Sequence, residues 1–93
     1  LGVVPGMNVG EDYTIFEAVH GSAPDIAGKN IANPLALLLS AVEMLRYLGE
    51  HEAAESIQKA VYKLLKEKHC LTPDLGGSAT TTEMAKELCR LIA

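Results

Sequence analysis

Phe16-Glu17-Ala18-Val19-His20-Gly21-Ser22-Ala23-Pro24-Asp25-Ile26-Ala27-Gly28-Lys29-Asn30-Ile31-Ala32-Asn33-Pro34 is the stretch on which the fold of this 93-residue chain turns. From Val19 to Asn33 it carries neither a helical nor a strand period and reads as one long irregular loop. Loops of that length inside compact domains are uncommon and are usually functional. Gly21 and Gly28 let backbone approach a ligand closely. Pro24 and Pro34 stiffen the segment and lower the entropy lost on binding. Asp25 can accept hydrogen bonds from both hydroxyls of a ribose. Asn33 offers an acceptor and two donors to a base edge, and His20 and Ile26 can pack on a ring. The residue types therefore suit a nucleoside. An ordinary Gly/Pro surface loop is the competing reading.

On the N-terminal side of this loop, Tyr13-Thr14-Ile15-Phe16 reads as a strand. Leu1-Gly2-Val3-Val4-Pro5-Gly6 reads as the end of another, closed by a Pro-Gly turn. Residues 1–34 hold five of the eight glycines and three of the four prolines. Two strand pieces are too few to be stable alone. Residues 34–93 instead read as three helices. For the first, Asn33 fits the N-cap, Pro34 the first helical position and Gly49 the stop. It is apolar on nearly all sides, with only Glu43 and Arg46 charged, and so demands neighbours all round. The second runs from about Glu50 to Lys68, with Ala53/Ala54, Ile57, Ala60/Val61 and Leu64/Leu65 on one face. The third starts at Thr80 or Thr81, where Thr80-Thr81-Thr82-Glu83 forms a capping box, and runs to the end. Met84/Ala85, Leu88 and Leu91/Ile92 form its apolar stripe, and Cys89 beside them reads as a small buried residue.

Composition excludes several classes. Eight Lys and Arg against twelve Asp and Glu give a net charge of −4, the wrong sign for a nucleic-acid surface. Cys70 and Cys89 form no CxxC and are too few for a secreted disulfide scaffold, so a reduced intracellular setting is expected. The longest uncharged run, residues 30–42, is thirteen residues, too short to span a bilayer. With no signal-peptide pattern at the start, the expectation is a cytoplasmic protein, or a mitochondrial-matrix one in a eukaryote, with no membrane segment. The first residue is Leu rather than Met, as in a processed or partial chain. His20, Ser22 and Asp25 superficially offer a triad, but triads are assembled from separate parts of a fold, and G-x-S-x-G is missing. Gly21…Gly28-Lys29-Asn30 lacks P-loop spacing and its Ser/Thr. There is no G-x-G-x-x-G. His51, His69 and Cys70 lack zinc spacing.

The segment from Phe16 to Lys29, followed by Ile31-Ala32-Asn33-Pro34, resembles the cofactor loop of the isocitrate/3-isopropylmalate dehydrogenase family. Val4-Pro5-Gly6-Met7-Asn8-Val9-Gly10 and Thr72-Pro73-Asp74-Leu75-Gly76-Gly77 match as well, so the resemblance covers the whole chain. It implies an α/β fold of which this is a C-terminal fragment: strand and NAD-binding loop in residues 1–34, three helices in 34–93. It implies cofactor contacts from Glu17 near the nicotinamide end, His20 and Ile26 lining the adenosine pocket, and Gly21, Ser22 and Ala23 as its wall. Asp25 would take the ribose and Asn33 the adenine.

Members that use NADP carry Lys and Tyr where Asp25 and Ile26 stand, and Tyr and Arg in place of Pro73 and Gly77. Those donors to a 2′-phosphate are missing here, and Asp25 would repel one. NAD is therefore expected. Gly28-Lys29-Asn30-Ile31 with the Thr72–Gly77 and Thr81-Thr82-Glu83 segments looks more like the NAD-dependent isocitrate branch. The rivals are 3-isopropylmalate dehydrogenase, homoisocitrate and tartrate/malate relatives, and a non-catalytic regulatory subunit. An autonomous helical interaction module is a further rival. The family's catalytic tyrosine and lysine, its substrate arginines and the aspartates that hold Mg²⁺ or Mn²⁺ match nothing in this chain. The fragment alone is thus expected to be inactive, and its partners to be a small 2-hydroxy acid and further copies in a homodimer or higher oligomer.

Overall fold

The computed structural model describes residues 5–19 and 23–92. Strand β1 (Pro5–Val9) pairs antiparallel with β2 (Thr14–Ala18), Pro5 opposite Ala18 and Val9 opposite Thr14. The Gly10 N–H donates to the Tyr13 carbonyl at 2.8 Å and closes the connection between them. Pro5-Gly6 is thus not a turn, as its composition suggested, but the opening of β1. Proline is tolerated there because the first residue of a strand can do without its N–H. β2 alternates as a half-covered strand should: Thr14, Phe16 and Ala18 are partly buried, Ile15 and Glu17 exposed. Phe16 meets Tyr47 edge to face, centroids 5.8 Å apart.

Helix α1 spans Leu35–Tyr47. Pro34, expected at the first helical position, takes the cap position instead: its carbonyl accepts the Leu38 N–H, and Asn33 one residue earlier accepts from the Leu35 N–H through Oδ1 at 2.8 Å. At the other end the Gly49 N–H reaches the Arg46 carbonyl at 3.1 Å and the Glu50 N–H the Leu45 carbonyl at 2.8 Å. This is a Schellman stop, made possible by φ +86° at Gly49. Helix α2 (His51–Glu67) ends one residue before Lys68, which turns left-handed at φ 59°. Leu71 and Thr72 are buried beyond it, and a short 3-10 turn follows at Pro73–Leu75. Helix α3 covers Thr81–Ile92. Its capping box is reciprocal: the Glu83 N–H donates to Thr80 Oγ1 at 3.1 Å and the Thr80 N–H to Glu83 Oε1 at 2.8 Å.

α2 packs against both α1 and α3, and the hairpin packs on α1. The core is Leu35 from α1, Ala60, Val61 and Leu64 from α2, Leu71, and Met84 and Leu88 from α3. Leu35, Leu64 and Met84 are fully buried. Each contributes about 1.5–3 kcal/mol by leaving water. Ser40 is buried too, and its single hydroxyl proton lies between the Glu17 carbonyl at 2.7 Å and the Ala36 carbonyl at 2.8 Å. It ties β2 to α1.

This chain covers only part of the apolar first helix: Leu37 is 66% exposed, and Leu48 just past its end 63%. A further expectation is corrected. Cys89 is exposed, not buried. It lies on the rim of an apolar groove that also takes in Leu37, Leu38, Ala41 and Ile92.

Candidate functional site

The loop after β2 is built from tight turns. The Ile26 N–H donates to the Ala23 carbonyl at 3.1 Å and the Lys29 N–H to the Ile26 carbonyl at 3.2 Å. Ala23, Gly28 and Asn30 all have positive φ. For Ala23 and Asn30 that conformation costs on the order of 1 kcal/mol, so the surroundings must hold it. The turn exposes Ala23 and Asp25 and half-buries Ile26. Asp25 therefore presents its carboxylate to solvent and to any ligand on that side. Glu17 is exposed on β2, its Oε1 3.5 Å from Asn8 Nδ2. His20, Gly21 and Ser22 lie outside the described residues.

From Asn30 onward the loop is fastened to the far end of the chain. The Asn30 carbonyl accepts from the Thr81 N–H at 2.8 Å, and Asn30 Oδ1 from Thr82 Oγ1 at 3.2 Å. The Ala32 carbonyl accepts from Thr81 Oγ1 at 2.5 Å. Asn33 Nδ2 donates to Asp74 Oδ2 at 3.0 Å, and Thr72 Oγ1 donates to Asp74 Oδ1 at 2.6 Å. Partial burial pushes the Asp74 carboxyl upward, but the Thr72 and Asn33 hydrogen bonds outweigh it and hold the group below the usual carboxylate range. Asp74 is ionised at neutral pH as a result. The Asn33 side chain, expected at adenine, thus has its oxygen on Leu35 and one N–H on Asp74. One N–H and its main chain remain for a ligand.

The second arm of this region is the 72–77 segment. Gly77 there is in close quarters: a Cβ would stand 2.0 Å from the Leu71 carbonyl oxygen. No side chain fits at 77 in this backbone, so no cation can be offered from it. The Asn33–Asp74 bond thus joins the loop that bears Asp25 to the segment that bears Pro73 and Gly77. Sequence reasoning assigned Thr72, Asp74, Thr81 and Thr82 no part in holding the cofactor loop. The Thr72-x-Asp74 spacing ahead of a proline turn was the available signal, since such side chains bond locally, but Asn33 lies 41 residues away.

Among the described residues, Glu67, His69 and Glu87 are the one group of three potential metal ligands. Arg90 grips Glu87 twice, at 2.8 and 2.6 Å, and His69 Nε2 lies 3.1 Å from it. The hydrogen bonds from Arg90, then its charge and the His69 contact, draw the Glu87 carboxyl down to about 2 against the cost of desolvation. The contacts present are an Arg90–Glu87 ion pair within α3 and a His69 hydrogen bond to the same carboxylate from just beyond α2.

A sequence model of the isocitrate/isopropylmalate dehydrogenase family matches residues 1–88, and the chain belongs to that family. It is 58% identical over 90 residues to the mitochondrial isocitrate dehydrogenase [NAD] catalytic subunit 5 of Arabidopsis thaliana, covering 96% of the chain and 24% of that protein. It is 55% identical over 92 residues to the 3-isopropylmalate/3-methylmalate dehydrogenase of Methanocaldococcus jannaschii, covering 99% and 27%. Among solved structures, isocitrate dehydrogenase from Methylococcus capsulatus superposes with a TM-score of 0.89 at 42% identity, over 95% of this chain and 26% of that one. The α/β fold is thus that of a segment of such a dehydrogenase. The chain spans about a quarter of the length of the relatives it matches.

Proposed function

We propose that this chain is the C-terminal, NAD-binding part of an NAD-dependent decarboxylating dehydrogenase that acts on isocitrate. The full enzyme would convert isocitrate and NAD⁺ to 2-oxoglutarate, CO₂ and NADH. The observation that carries the cofactor reading is an exposed carboxylate, Asp25, on a loop that Asn33 ties through Asp74 to a segment with no room for a side chain at Gly77. A ribose with free hydroxyls suits Asp25, which accepts from both. A 2′-phosphate would meet a like charge at Asp25 and find no cation at position 77. Ile26, half-buried beside it, offers an apolar surface to the base.

Bound NAD⁺ supplies the hydride acceptor, and a divalent ion, Mg²⁺ or Mn²⁺ held by residues outside this chain, supplies polarisation of the substrate carbonyl. The part played by this chain is to bind and orient the adenosine end. It positions the cofactor and leaves the proton transfers to groups elsewhere in the enzyme. Isocitrate is favoured by the Gly28–Ile31 and Thr72–Gly77 segments and by the 58% identity to a catalytic subunit described as an isocitrate dehydrogenase. The 55% identity to a 3-isopropylmalate/3-methylmalate dehydrogenase supports the second reading, an isopropylmalate enzyme with the same cofactor site. A homodimer or larger oligomer completes the proposal, and the apolar side of α1 left open by this chain agrees with cover from elsewhere.

Asp25→Lys with Ile26→Tyr in the full-length protein tests the cofactor site. The ratio of kcat/KM for NAD⁺ over NADP⁺ should fall by about tenfold or more, the scale of one lost or gained charge contact. An unchanged ratio would show that Asp25 does not face the ribose.

A further inference from the structure

We infer that Asp74 is a positioning residue for the cofactor: it holds the Asn33 amide and thereby fixes the separation of the two arms between which the adenosine binds. The inference rests on the cofactor reading above. It rests also on a geometry that the reading does not require. Asn33 stands where the loop becomes α1, and its side chain faces two ways: Oδ1 accepts from the Leu35 N–H, and Nδ2 is held by Asp74 Oδ2 at 3.0 Å. Asp74 is held in turn by Thr72, which is fully buried, at 2.6 Å. The chain of contacts thus runs from the core at Thr72 to the N-terminus of α1.

Asp74 also lies between Pro73 and Gly77, so the same turn that carries it forms the second arm. Thr81 and Thr82 fasten the loop farther back, at Asn30 and Ala32. Those bonds fix the loop's base. The Asn33–Asp74 bond alone, among the hydrogen bonds of the described residues, ties the loop to the 73–77 turn. Its donor is an amide and its acceptor an ionised carboxylate, the stronger kind of hydrogen bond. Without it the two arms keep their own internal turns but lose their common reference, and ordering them falls to the ligand.

The test uses the full-length protein with Asp74→Leu and Asp74→Ala, and with Asp74→Asn as the conservative variant. Leu and Ala remove the acceptor, Leu at nearly constant volume. In Asp74→Asn the side-chain oxygen can still accept from Asn33 Nδ2 while the new NH₂ donates to Thr72 Oγ1. Calorimetric Kd for NAD⁺ and the KM for NAD⁺ should rise about five- to tenfold in Asp74→Leu and Asp74→Ala. At saturating NAD⁺, kcat should stay within about twofold and the KM for the hydroxy acid should not move, because the reacting atoms lie outside this chain. Asp74→Asn should keep the Kd within about threefold of the unaltered protein. Should Asp74→Ala fail to fold, Asp74→Leu gives the answer. Unaltered protein that binds NAD⁺ while Asp74→Leu binds it equally well would overturn the inference and leave the cofactor reading standing. Loss of kcat with KM unchanged, or Asp74→Asn as weak as Asp74→Leu, would overturn it as well. Unaltered protein that binds no NAD⁺ would overturn both.

Discussion

At Gly77 a single methyl group would stand 2.0 Å from the Leu71 carbonyl oxygen, and 2.8 Å from the Leu71 Cβ. Gly77→Ala should therefore cost about 2 kcal/mol or more, read as a lower urea midpoint, because backbone and not a flexible side chain must move. The exposed turn at Asp25 carries no such limit, so charge can be exchanged there without rebuilding the fold. Glu87 sets a different residue-scale effect. Its carboxyl titrates at about 2 in the folded chain against an ordinary value of 4.5. A depressed carboxyl stabilises the fold above its unfolded value, and that contribution is lost as pH falls from about 4.5 toward 2. Acid titration followed by circular dichroism should show Glu87→Gln with a shallower loss of stability over that window than the unaltered chain. An identical slope would mean that the Arg90 and His69 contacts contribute nothing. Asp25 and Ile26 were legible as loop residues from the flanking Pro24 and Gly28. Asp74 was not, because its partner is remote in sequence and only tertiary folding brings the two together. Cys89 was misread because helical spacing places it beside the apolar stripe but does not say whether a neighbour covers that side.

At the scale of elements, the helices were the most legible part, because their ends carry local signals. Gly49 and Thr80…Glu83 act through bonds within a few residues and are found as the sequence indicates, while at Asn33-Pro34 the helix starts one residue later, with Pro34 at the cap position. Thr80→Ala should remove one half of the capping box and destabilise the chain by about 1 kcal/mol, measured by chemical unfolding. The strands were harder. Pro5-Gly6 looked like a turn by composition, yet pairing with Glu17 and Ala18 draws both residues into β1. Strand pairing is a tertiary fact that overrides a local preference. The long apolar helix was read correctly as needing cover, but this chain supplies only part of it: Leu35, Ala36, Ser40 and Val42 are buried while Leu37, Met44, Tyr47 and Leu48 are not.

Across the whole molecule, one core holds three helices together, and a hairpin too small to stand alone leans on the first of them. Leu64 lies at the centre of that core with no exposed surface. Leu64→Ala should cost about 2–5 kcal/mol, read from denaturant unfolding. The open face of α1 and the groove it shares with α3 imply that the isolated 93-residue segment binds an apolar dye and unfolds with little cooperativity. A sharp two-state melt with no dye binding would favour the autonomous helical module instead. The family and the fold follow from matches across nearly the whole chain. The cofactor and substrate rest on the geometry of two arms and on likeness to relatives of both substrate types. The most direct test is reduction of NAD⁺ and NADP⁺ by the full-length protein with Mg²⁺, on isocitrate and 3-isopropylmalate in parallel. NADH formation on isocitrate, with little NADPH, is the result expected. Turnover of 3-isopropylmalate alone would keep the NAD site and move the substrate. Preference for NADP⁺, or silence from a folded protein that binds neither dinucleotide, would contradict the account.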